Sequence, residues 1–204
     1  MVTSAASGSG GGAVSARDAN TRATSTPDTA VSIGARAFMS AQTIDIDSAS
    51  KANVSASAAN SGGGVVSIGR SDTTVTTDTL SAVDIGSHAE LTATDWITID
   101  SDVNQNSTVY AQSDGGGLVD SADADATANI DYASTITVGA GAIVFAENQV
   151  TLDADSRIDV DAYVKTDSSV FSSGASTDTD VNIGTSTTDR ALTRTQIADG
   201  ALVQ

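Results

Sequence analysis

Carboxylates are the only abundant chemistry-bearing groups in this 204-residue chain: 26 Asp and Glu stand against nine Lys and Arg, one histidine and no cysteine. Without cysteine there is neither a disulfide framework nor a thiolate metal site, and the lone His88 rules out a histidine cluster for metal. A triad built on His88 would need a serine and a carboxylate beside it. Repeat alignment instead puts His88 opposite Arg36 and Gly141, as expected of an exposed turn. Paired carboxylates could serve a β-helix lyase or glycosidase, which needs two carboxyl groups across a groove about 5–9.5 Å apart. Asp153, Asp155, Asp159 and Asp161 are the candidates, with Arg157 as the nearby cation. They alternate along one extended run with no long loop to wall a groove, so the sequence assigns no catalytic residue and no enzyme activity.

Calcium is the stronger inorganic candidate, because hard cations take oxygen ligands. The densest acidic group, Asp120, Asp123 and Asp125, lies on an extended run with no turn to fold it around an ion. Asp47, Asp100 and Asp153 recur at one repeat position. Two coils per repeat would hold them ~9.6 Å apart, beyond a shared ion. No metal-ligand set and no cofactor are assigned; weak surface Ca2+ is the one exception. Trp96, aligned with Thr43 and Gln149, is expected as a partly buried cap on a turn, with sugar stacking as its alternative. Threonines that could order water (Thr74, Thr76, Thr92, Thr98, Thr137, Thr151) keep no common column across the copies.

What positions all of these residues is a repeat. Val83-Asp84-Ile85-Gly86, Ala89-Glu90-Leu91-Thr92-Ala93 and Ile97-Thr98-Ile99-Asp100 return as Ile136-Thr137-Val138-Gly139, Ala142 to Ala146 and Val150-Thr151-Leu152-Asp153. The same cassette stands earlier as Val31 to Gly34, Ala37 to Ala41 and Ile44 to Asp47, a period of 52 to 53 residues. Periods of this size mark solenoids and arrays. Four copies cover the chain as one segment, at about 1–49, 50–102, 103–155 and 156–204. The last copy is irregular: its glycine triplet is replaced at 168–170, and an insertion is expected between Asp167 and Asp180. Regular stacking is therefore in question after Lys165. Both ends fall within a repeat, as in an excised segment or a subunit with open ends.

Aromatics are 3% of residues, and one proline (Pro27) stands in a chain without runs of helix formers. Small and β-branched residues at alternating positions are a strand signal and argue against disorder. Val83, Ile85, Ala89, Leu91, Ala93, Ile97 and Ile99 are predicted to face inward; Asp84, Glu90, Thr92 and Thr98 face out. The fold predicted is an all-β parallel β-helix, or β-solenoid. Six short runs per repeat point to two coils of about 26 residues, with three of about 18 also fitting. The glycine triplets (10–12, 62–64, 115–117) lack the following helix and the Lys or Arg of a phosphate loop, and are expected where backbones approach closely.

The run Ser-Gly-Gly-Gly-Val-Val at 61–66, with Val-x-Ile-Gly, Ala-x-Leu-x-Ala and Ile-x-Ile-Asp, resembles the repeats of giant bacterial exoproteins of the filamentous-haemagglutinin and adhesin type. The resemblance covers nearly the whole chain. It implies a right-handed β-helix stalk on a secreted or surface-anchored protein, placing the chain outside the cell or at its surface.

A net charge of −17 removes the basic stripe that nucleic acid or an anionic membrane would require. No apolar run approaches a membrane span, and no secretion signal opens the sequence. Such a surface repels itself less in salt, as befits a saline setting. Phe38, Ile143 and Leu202 share an outward column with Glu90, and Phe145 lies beside Ile143. Apolar groups there are expected to touch another copy or flanking repeats of the same protein. Surface carbohydrate is the remaining partner class.

Overall fold

In the computed structural model, which describes residues 1–184 and 191–204, the chain is a parallel β-solenoid with no helix among the described residues. Its strands are β1 (Val2–Ser25), β2 (Asp28–Ile33), β3 (Phe38–Ile85), β4 (Glu90–Val138), β5 (Ile143–Ala146), β6 (Gln149–Ile183), β7 (Ala191–Ile197) and β8 (Leu202–Val203). They pair in parallel in the order β1-β3-β4-β5-β8, with β2 on β3 and both β6 and β7 on β4. Like sits over like: Ile46 pairs with Ile99 and Ile99 with Leu152.

The register corrects the expected coil count. Val2 pairs with Val54, Phe38 with Glu90 and Trp96 with Gln149, so each repeat is one coil and not two. The Ser, Asn and Asp residues between the apolar runs do not turn the chain. They remain in strand, facing alternately in and out.

Each coil closes as an arch whose apex is the glycine triplet. In β4, odd-numbered residues are buried from Ile97 to Ser113, and even-numbered ones from Asp120 to Ile130. The parity changes across Gly115–Val119, so the limbs before and after the apex turn their inner faces toward each other. Side chains meet across the arch: the Ser81 hydroxyl donates to the Ser48 carbonyl (2.7 Å), and Asn60 Nδ2 donates to the Arg70 carbonyl (3.3 Å).

The core is zoned along the arch. The end away from the apex is aliphatic, built on Ile44, Val83, Leu91, Ile97, Ile99, Ile136 and Val144. A narrower zone of Ala and Val surrounds Val54, Val75, Val109 and Ala124. Between them runs a buried hydroxyl chain, Ser48 to Ser81 (2.9 Å), Ser81 to Ser101 (3.1 Å) and Ser101 to Ser134 (3.1 Å). Gln105, fully buried, donates to the Thr77 hydroxyl and accepts from Thr79 (3.1 Å). Small hydroxyls fit because facing limbs leave little room, and those of this zone find partners in one another, which offsets the cost of their burial.

The triplets do what close approach requires. A Cβ on Gly64 would run into the Gly12 carbonyl oxygen, and one on Gly117 into that of Gly64. The late insertion is displaced from its expected place. Pairing holds one offset from Trp96↔Gln149 to Ile130↔Ile183, and the offset has grown by six at Tyr132↔Ala191. The extra residues therefore fall between Ile183 and Ala191, not between Asp167 and Asp180. Regular stacking also continues past Lys165, through the Ser168 to Val170 backbone that replaces the triplet.

Candidate functional site

One coil per repeat brings the carboxylate column together. Asp47, Asp100 and Asp153 occupy successive rungs, and Asp102 and Asp155 form a second column two residues along the same face. Successive rungs are ~4.8 Å apart, half the spacing expected from two coils per repeat. Partial burial raises the pKa of Asp100 above its ordinary value, and Asp102, Asp153, Asp45 and Asp47 add to the rise. Asp102 is raised in the same way, by burial and then by Asp47, Asp155 and Asp153. Lys51 and Arg157 flank this face in the second and fourth coils, at the ladder positions on either side of Asn104.

A second charged group lies on the opposite limb. Arg70 bridges Asp72 (3.1 Å) and Asp125 (3.5 Å) on the next rung. Burial, and then Asp123 and Asp72, raise the Asp125 pKa, while Arg70 opposes the rise. The sequence cluster Asp120, Asp123 and Asp125 is split by this geometry. Asp123 and Asp125 are half-exposed on the outer face, while Asp120 is buried inside the arch. Among the described residues no three acidic or histidine side chains converge as a metal-binding group.

His88 sits where the alignment predicts. Arg36, His88, Gly141 and Gly200 all adopt positive φ (59°, 57°, 67° and 73°), one above another in the same turn. Each turn closes with a bond such as Ala89 N–H to the Gly86 carbonyl (3.2 Å), the pattern of a type II turn. His88 is exposed and serves the turn. Trp96 is 48% exposed and pairs with Thr43 and Gln149. Asp153, Asp155, Asp159 and Asp161 lie exposed on the outermost coil, side by side on a face without walls. The threonine columns are broken, Thr98 and Thr151 continuing into Asp45 and Thr92 giving way to Phe145.

Phe38, Glu90, Ile143 and Leu202 form one ladder, as the alignment requires. Phe38 is 69% exposed, Leu202 and Ile143 less so, and Phe145 is half-buried beside them. On the outer face near the apex, Tyr110 and Tyr163 stack with ring centroids 5.4 Å apart. The Tyr110 hydroxyl donates to Gln112 Oε1, and Gln112 Nε2 donates to Asp114 (2.5 Å). The interior polar groups at the apex, above all Asp120 and Arg17, are the residues that sequence reasoning missed. The signal available was parity: Asp120 shares its alternation with the buried Ala122, Ala124 and Ala126.

Comparison with known proteins adds no neighbour: no family model, no curated protein and no solved structure matches the chain.

Proposed function

We propose that this chain is a non-enzymatic structural segment of a secreted bacterial surface fibre or adhesin stalk. The observation that carries the proposal is the recurring register: apart from a one-residue shift at Ala41/Thr43 and the late insertion, each described coil repeats the one beneath it, so the architecture can extend along its axis by adding copies of the same unit. The candidate carboxylates lie on open faces rather than in a groove, which suits a mechanical and surface role. Backbone ladders and stacked aliphatic side chains provide stiffness, and the acidic faces provide solubility in a saline, extracellular medium. Its partners on this reading are flanking repeats or other copies of the same chain. The resemblance of its repeats to exoprotein repeats supports the same conclusion.

Electron microscopy of the isolated chain tests the proposal. Discrete particles of uniform size support a stalk segment, whereas long filaments support a subunit that adds strands end to end. Particles without regular shape refute both. The exposed Phe38, Ile143, Phe145 and Leu202 ladder is proposed as the lateral contact. Changing Ile143 and Phe145 to Ser is expected to reduce self-association in sedimentation, and unchanged association removes that contact.

A second reading, a module whose acidic face gathers Ca2+ or engages surface carbohydrate, is favoured by the adjacent Asp47, Asp100, Asp153, Asp102 and Asp155. Cations would act there by relieving repulsion rather than by chelation.

A further inference from the structure

The apex of the arch contains a charged group that neither the structural role nor the outer acidic face uses. Asp120 is 2% exposed, and both of its carboxylate oxygens are buried with no hydrogen-bond donor among the described residues. The Ser113 hydroxyl, on the facing limb, is buried and unpaired as well. The Asp120 carboxylate occupies the space that a side chain at residue 115 would fill, which accounts for Gly115. It is thus pressed against the backbone at Gly115. Asp114 points the other way, bonded to Gln112 on the outer face.

The obvious counter-charge is committed elsewhere. Arg17 comes from the first coil, two rungs away, and its guanidinium fills the matching space at Gly62 on the rung between. Its guanidinium donates to the Gly10 carbonyl (2.9 Å), Ser15 (3.1 Å), Asn60 (3.1 Å) and Ser67 (2.7 Å). None of these bonds reaches Asp120, whose carboxylate is left without a donor among the described residues. A buried carboxylate without donors is strongly unfavourable unless something compensates it. At the same ladder position the other coils carry Ser15, Ser67 and Ser173, so the fold itself does not call for a carboxylate there.

We infer that Asp120 and the Ser113 hydroxyl bind one hard metal cation inside the apex of the third coil. Both donors are oxygen groups, one of them a carboxylate, and no thiolate or imidazole is near. That set suits Ca2+, Mg2+ or Na+ and not Zn2+. The cation would fold in with the chain, tying the two limbs together where Gly115–Gly117 leaves the backbone without side chains. This inference rests on the fold alone and stands apart from the fibre reading.

The test refolds the full chain from denaturant in chelator-treated buffer containing CaCl2, MgCl2, NaCl or choline chloride at equal ionic strength. Asp120→Ser restores the residue of the other coils, and Asp102→Asn controls for the outer face. The parent and Asp102→Asn are expected to retain one equivalent of Ca2+ or Mg2+ after gel filtration, or to melt higher in NaCl than in choline chloride. Asp120→Ser should lose that response entirely. At a hundredfold excess over Kd the parent's Tm should rise by about 5–10 °C. In choline chloride the order should reverse, with Asp120→Ser melting above the parent. The inference is overturned if Asp120→Ser is the more stable protein in all four salts with no cation-specific shift, or if it retains the metal. Asp120→Asn provides the same comparison at nearly constant volume should the serine variant fail to fold.

Discussion

Replacing Gly64 by Ala tests the arch most directly. A new Cβ there meets the Gly12 carbonyl oxygen of the rung below, a backbone atom that cannot swing aside. Ordinary contact needs about 3.5 Å, so the rungs must part by about 1 Å at the apex. Overpacking of this kind costs about 1–3 kcal/mol, and straining a ladder hydrogen bond adds about 1 kcal/mol. Alanine also stiffens the unfolded chain, which returns about 0.4–1 kcal/mol. The net loss is about 1–3.6 kcal/mol. For a chain of this length that corresponds to about 2–14 °C in Tm, followed by the β-sheet signal in circular dichroism. Gly174 supplies a control, since a Cβ there meets nothing within 4 Å and its φ is not positive. Gly174→Ala keeps only the unfolded-state effect and should raise Tm slightly. If Gly64→Ala melts at or above the parent, the triplets are not packed rung on rung and the arch is wrong.

Two further outcomes follow from the interior and the faces. Gln105→Ala leaves the Thr77 and Thr79 hydroxyls without their partner and opens a cavity between Ala52 and Ile158 on the neighbouring rungs. It should cost about 2–4 kcal/mol by chemical denaturation, and a cost below about 1 kcal/mol would place Gln105 outside the core. Asp100, Asp102 and Asp125 have raised pKa values in the folded chain, so the folded state holds their protons more tightly than the unfolded one. Their destabilising effect is fully present above the raised folded values and disappears as pH falls to the ordinary value near 3.8. Tm should therefore rise between pH 7 and about pH 4, and Asp100→Asn should narrow that rise. A Tm that falls steadily over this range contradicts the crowding of the acidic columns.

Much of this architecture was legible because solenoids write their register into the sequence. Ile46, Ile99 and Leu152 share a column, and the inward set Val83 to Ile99 is buried as alternation predicts. The number of coils was less legible. Strand and turn use the same residues here: Ser, Thr, Asn and Asp lie inside 48- and 49-residue strands, where facing limbs supply hydrogen bonds that a free strand would lack. A polar residue between apolar runs therefore looks like a boundary when it is a buried rung. The parity change at each glycine triplet marked the true bend. Asp120 was hidden for the same reason. Grouping it with Asp123 and Asp125 counts charges along the chain, whereas the strand sends it to the other side of the sheet.

A coil of 52 or 53 residues also changes what such a chain does mechanically. Each repeat adds a single rung, ~4.8 Å of axis, so four coils rise only about 20 Å. One limb, from Thr43 to Gly62 at ~3.3 Å per residue, spans about 60 Å. The segment is therefore wider than it is tall, a blade rather than a rod. Bending across the wide direction must stretch many ladder hydrogen bonds together, whereas a narrow coil would oppose it with few. Length along the axis then comes from many repeats, and each repeat contributes breadth and stiffness. On that geometry the wide faces, with their acidic columns on one limb and the Arg70 group on the other, are the surfaces a neighbour would meet. A fibre built this way would have its lateral chemistry set by which residues occupy a column, and its length set by how many rungs are stacked.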